Sequence, residues 1–161
     1  MSESHYFLKC GYIYVPDHGT SISAVAGSGV CVCVYDRKRC TGGMNHFSYP
    51  YMDATGKTTA VYGNVATITL VKMMQSCKSS LKNLEAQIFG GAFNPLMSDR
   101  DIGTENIEIA RKILRKFRIP VISEDIGGEK GRKIVFNTHT NEVAVLKADS
   151  LRKADWYPYG S

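Results

Sequence analysis

The spacing of hydrophobic positions changes period several times along this chain, and each change marks an element. Residues 11–15 read as a short strand, closed by Pro16, Asp17, His18 and Gly19, turn formers for separate steric reasons. Residues 21–26 read as a second extended piece. The small-residue step Gly27, Ser28, Gly29 then leads into residues 30–35, a β-branched and thiol-rich run too short for a helix, which predicts a buried strand. Residues 36–41 carry three basic side chains in six and predict a solvated hairpin tip, returning through Gly42 and Gly43 into a strand over 44–49 that Pro50 closes. Residues 51–57 show no periodicity and read as a surface loop.

From residue 64 to residue 80 the period lengthens. Ala66, Leu70, Met73, Met74, Cys77 and Leu81 recur at three- and four-residue spacing, which puts them on the core side of a helix. Residues 84–89 alternate again, Ala86 and Ile88 against Glu85 and Gln87, and stop at Gly90 and Gly91. After a loop through Pro95 to Gly103, a second helix is predicted with Thr104 as its cap. Glu105 and Glu108 lie near its positive end, and Arg111, Lys112, Arg115, Lys116 and Arg118 toward its negative end. Its apolar face is Ile107, Ala110, Ile113, Leu114 and Phe117, and Pro120 stops it. Strands over 121–124, 133–136 and 142–146 follow, the last two joined as a hairpin.

The order is strands, helix, strand, helix, strands, without regular βαβ alternation. It predicts an α+β fold: mixed and antiparallel sheets in a layered sandwich, with two main helices on the sheet faces. At 161 residues, 43% of them hydrophobic and 22% charged, the chain fits one domain, with a core over about 10–147 and an aromatic tail over 148–161. That tail, with Trp156, Tyr157, Pro158 and Tyr159, reads either as packed back onto the domain or as a docking element.

Composition narrows the function classes. The net charge of +5 is mild and comes without a basic stripe or a reading motif, so nucleic-acid binding is not expected. No run of 18 apolar residues and no signal-peptide core occur, which predicts a cytoplasmic protein without membrane insertion. Cys10, Cys31, Cys33, Cys40 and Cys77 make an odd count without disulfide or zinc spacing, so reduced, mostly buried thiols are expected and no metal or cofactor.

The chemistry-bearing stretch is residues 23–50, SAVAGSGVCVCVYDRKRCTGGMNHFSYP. By pattern alone, Gly27 and Gly29 mark a bend or close approach, and His46 is as readily a satisfied core histidine as a base. The stretch nevertheless resembles the signature of the chemoreceptor glutamine deamidases, the CheD family: a threonine, then GSC, a hydrophobic strand ending in Asp, a short basic turn, and GGM with a histidine two residues on. LEAQIFGGA from Leu84, IGTENIEIARKIL from Ile102 and EDIGGEKGRKIVF from Glu124 are similar to the family's later blocks, in the same order.

The resemblance implies a cytoplasmic chemotaxis protein that hydrolyses glutamine side chains of methyl-accepting chemoreceptors to glutamate and ammonia. It further implies a CheC-type response-regulator phosphatase as partner, and kinship with the catalytic domain of cytotoxic necrotizing factor toxins. Matched position by position, His46 stands for the general base, Ser23 for the hydroxyl residue that orients it, and Gly29 for the nucleophile. Glutamine's amide is a poor electrophile, so its hydrolysis calls for a thiolate, and the departing ammonia for an acid nearby. Serine keeps the oxygen of threonine, but glycine keeps nothing of cysteine. The chain as written is therefore expected to be close to inactive.

Three accounts of the missing thiol compete: an engineered Cys-to-Gly change that traps a partner, a natural loss that keeps binding, and a substitute thiol. Cys31 and Cys33 share the strand parity of position 29, roughly 7 and 13 Å further along, but each would need the strand to slide. The alternative function is a non-catalytic binding module of the chemotaxis array. His5, His18 and His139 read as surface residues. Glu124 and Asp125, adjacent on an extended segment, point to opposite faces, and Gly127, Gly128 and Gly131 lack the strand and helix of a phosphate loop.

Overall fold

The computed structural model describes residues 4–51 and 59–148. Most of the 51–57 loop and the aromatic tail over 149–161 lie outside the described residues. Nine strands and two long helices are seen: β1 (Ser4–Phe7), β2 (Tyr12–Tyr14), β3 (Thr20–Ala26), β4 (Val30–Asp36), β5 (Thr41–Phe47), α1 (Gly63–Ser76), β6 (Leu84–Gly90), α2 (Ile102–Lys116), β7 (Val121–Ile126), β8 (Gly131–Asn137) and β9 (Val143–Ala148).

The strands form two sheets. One is ordered β1-β3-β8-β9 and the other β2-β5-β4-β6-β7. The predicted α+β layered sandwich is what the chain forms, with both helices on one face of the five-stranded sheet. Side-chain parity on β4 explains the layering. Val30, Val32 and Val34 point to α1 and α2 and pack with Ala66, Leu70, Val71, Met74, Ile107, Ala110 and Leu114. Cys31 and Cys33 point the other way and pack with Ile22, Ala24, Ala26, Ile134 and Phe136 of the four-stranded sheet. Every residue of β4 is buried, so the strand has two apolar faces and no polar alternation.

Several predicted details are corrected. α1 ends at Ser76, because Lys78 adopts φ +72 and breaks the helix, and Cys77 is exposed. The buried side of α1 also takes in Thr67 and Val71, while Met73 is only half-buried. Cys10 and Cys40 are exposed too, so only Cys31 and Cys33 of the five thiols are buried. α2 is capped by Asp101, whose carboxylate accepts hydrogen bonds from the N–H and hydroxyl of Thr104, and not by Thr104 itself. Gln87, read as the polar side of its strand, is buried, since β6 lies between β4 and β7 with both faces covered.

Two pieces of topology were not anticipated. β1 pairs parallel with β3 at the sheet edge and carries His5, exposed but not in a loop. β6, α2 and β7 make a single βαβ crossover, with β6 and β7 parallel. The opposite pointing of Glu124 and Asp125 holds. Glu124 pairs with Arg111 of α2 at 2.6 Å, whereas Asp125 pairs with Arg132 at 3.0 Å and Lys147 at 2.9 Å on the other sheet.

Candidate active site

Two of the three residues singled out by the family resemblance, Gly29 and His46, meet where β3 turns into β4. The bend at Gly27, Ser28 and Gly29 is gripped from outside its own hairpin. The Gly27 carbonyl accepts from the Ala92 N–H at 3.0 Å, the Gly29 carbonyl from the Gly91 N–H at 2.9 Å, and the Ser28 carbonyl from the Asn106 side chain at 3.0 Å. The N–H groups of Ser28 and Gly29 find no acceptor among the described residues. Gly90, at φ +112, explains part of the sequence pattern: a side chain there would collide with the Gly29 carbonyl.

His46 comes from β5, paired directly opposite Cys31 on β4, so both side chains project toward the four-stranded sheet. His46 is 6% exposed. A Cβ at position 29 would fall 3.3 Å from His46 Nε2 and 3.7 Å from its Cδ2. The fold therefore brings position 29 and His46 together across sixteen intervening strand and turn positions without any local signal of proximity. The same Cβ would lie 2.7 Å from the Phe47 carbonyl oxygen, closer than real contacts allow, so the backbone has closed onto the space a side chain would need.

Burial pulls the His46 pKa down from 6.5 to about 4, and the Leu8 backbone opposes this only partly. The ring is thus neutral near pH 7 and can accept a proton at Nε2. Its Nδ1 is buried and makes no hydrogen bond. Ser23 lies on β3, half-buried, with its carbonyl accepting from the Leu8 N–H at 2.8 Å. No hydrogen bond joins its hydroxyl to His46.

The two buried thiols are unsuited to take over. Burial raises the pKa of Cys31, with the nearby Cys10 thiol adding to the rise, and burial likewise raises that of Cys33. Cys10 is the exposed thiol nearest this corner. Its Sγ stands 2.6 Å from the Ser48 hydroxyl, and the next residue, Gly11, donates its N–H to the His46 carbonyl at 2.7 Å. Sequence pattern did not single out Cys10, Ser48 or Asn106. Among them only Asn106 left a trace, as a polar residue within the apolar stripe of α2. Among the described residues no cluster of His, Cys, Asp and Glu could hold a metal, and no helix is long and apolar enough to cross a membrane.

The two sheets thus set a glycine-walled bend against a buried neutral histidine. Comparison with known proteins gives the family. Residues 50–147 match the family model described as CheD chemotactic sensory transduction. A probable chemoreceptor glutamine deamidase CheD from Trichlorobacter lovleyi is 39% identical over 141 residues, covering 86% of this chain and 87% of the relative. Proteins given the same description from Anaeromyxobacter dehalogenans, 37% identical over 81% of this chain and 77% of the relative, and from Rhodospirillum rubrum, 39% identical over 92% and 85%, extend the likeness. The chain belongs to the CheD family of chemotaxis proteins.

Proposed function

We propose that this chain carries the framework of a cysteine-type deamidase acting on glutamine side chains of methyl-accepting chemoreceptors, with its nucleophile replaced by Gly29. The observation that carries the reading is that a Cβ built at position 29 falls 3.3 Å from His46 Nε2, so that a sulfur one bond further out would be within reach of the ring once the bend relaxes. The names of the relatives supply the substrate class.

With cysteine at position 29, the neutral His46 would take the thiol proton, and the thiolate would add to the carbonyl carbon of the glutamine amide. The oxyanion would face the unpaired N–H groups of Ser28 and Gly29. Protonation by the imidazolium would release ammonia as the C–N bond breaks. Water, deprotonated by the same ring, would then cleave the thioester to glutamate and the free thiol. Ser23 would serve His46 Nδ1 only after a side-chain rearrangement that brings its hydroxyl to the ring. With glycine, no thioester forms, and only residual assistance to water remains.

The approach of the Phe47 carbonyl to position 29 favours a second role for the chain as it stands: a non-catalytic module, cytoplasmic like its proposed partners, that engages receptor helices or a CheC-type phosphatase. Ammonia release from a receptor fragment, compared between the chain as it stands and Gly29→Cys, separates these. Release by the substituted chain alone supports the deamidase framework. No release by either, from a folded Gly29→Cys protein, would leave the binding role.

A further inference from the structure

Among the buried residues of α2, which are Gly103, Asn106, Ile107, Ile109, Ala110, Ile113 and Leu114, Asn106 alone carries a polar side chain, and it is fully buried. Apolar packing gives no reason for an amide at that place. Hydrogen bonding does. Its Nδ2 donates to the Ser28 carbonyl at 3.0 Å and to the Ser48 carbonyl at 2.9 Å. Ser28 directly precedes Gly29, and Ser48 lies two residues beyond His46. One amide nitrogen therefore spans the two backbone segments whose separation sets how position 29 meets the imidazole.

The helix that holds Asn106 is itself fixed against the same corner. At Gly103 it runs so close to the Gly91 and Ala92 carbonyls that a side chain would collide with them, and the Gly91 and Ala92 N–H groups are those that grip Gly29 and Gly27. The Oδ1 of Asn106 has no partner, so only the donor half of the amide is used. We propose that Asn106 is a positioning residue, which sets the residue 29–His46 geometry from the helix side and so determines how far the imidazole favours a thiolate there. The proposal rests on the deamidase reading above.

The test uses the full chain with Gly29→Cys, alone and combined with Asn106→Leu or Asn106→Asp. The first removes the donor and keeps an apolar fill, and the second keeps the size and replaces the donor with an acceptor. Iodoacetamide alkylation at residue 29 is followed against pH by site-resolved mass spectrometry, alongside kcat and KM for deamidation of a receptor fragment. The Gly29→Cys chain should titrate below the ordinary thiol value of about 8.5. Each Asn106 variant should move the midpoint back toward it, lowering the thiolate fraction at neutral pH about tenfold, with the loss in kcat and little change in KM.

A merely structural role would lower the melting temperature and leave the midpoint of the folded protein in place. A depressed midpoint that survives both folded variants, or survives Asn106→Asp where the leucine variant does not fold, overturns the proposal and leaves the deamidase reading standing. An ordinary midpoint in the Gly29→Cys chain with Asn106 intact overturns both.

Discussion

Cys31 and position 29 lie two residues apart and face the same histidine, yet they are opposites. Cys31 has a thiol, sits directly across the ladder from His46, and is completely buried, so its proton is held tightly. Position 29 has no thiol, but it stands in a bend beside the exposed Ser28, with the N–H groups of Ser28 and Gly29 unpaired among the described residues and His46 Nε2 within reach of any side chain placed there. Closeness to a base does not make a nucleophile. A charge must also be tolerated where it forms, and only the bend offers donors for one.

The largest test of that contrast is to place the thiol at the bend and remove the base. In a Gly29→Cys background, His46→Ala should lower ammonia release by about 10²–10⁴-fold, the usual worth of a positioned proton carrier. Equal activity with and without the imidazole would show that the bend alone makes the site.

Next in size is the acid response of His46 in the chain as it stands. Its folded pKa, about 4, lies below its ordinary 6.5, so between these values the unfolded chain binds the extra proton. Stability therefore falls as pH drops through that window, is unaffected by this group above it, and levels off below it. The full loss is on the order of 3 kcal/mol. Denaturation of the parent and a His46→Gln variant at matched pH isolates the contribution, and the variant should show the shallower decline. Parallel curves would mean that the ring is not buried neutral.

Smaller effects are expected at Cys31. Cys31→Ser buries a hydroxyl among apolar neighbours and should cost about 1–3 kcal/mol by denaturant melting. Cys31→Ala should cost about 1 kcal/mol or somewhat more, and leave the turnover of a Gly29→Cys chain unchanged. Loss of turnover in Gly29→Cys/Cys31→Ala would blur the distinction between the two positions. The smallest signal is one of order: in the chain as it stands Cys10, Cys40 and Cys77 should be alkylated first, and Cys31 and Cys33 only as the protein unfolds.

The hydrophobic pattern made the central hairpin readable because β4 is apolar on both faces and its bounding glycines are unmistakable. The edge strand β1 escaped, since its SHYF sequence is mostly exposed and pairs with β3 through backbone groups that leave no side-chain signature. The end of α1 escaped because a lysine, not a glycine, takes the left-handed conformation there. At the site, the matched motif placed Gly29 and His46 at one corner, but spacing could not show whether Ser23 reaches the ring. Asn106 was overlooked because a polar residue on an apolar stripe reads as an exception until the carbonyls it serves are in view.

The three grips on the bend come from Gly91, Ala92 and Asn106, none of them in the segment that carries residue 29. The corner is therefore moulded by distant parts of the chain as well as by its own segment. Glycine and cysteine codons can differ by a single base. On the deamidase reading proposed above, one base change would then separate this chain from a thiol-bearing form, and the Phe47 carbonyl, 2.7 Å from a Cβ at position 29, would have to move to admit it.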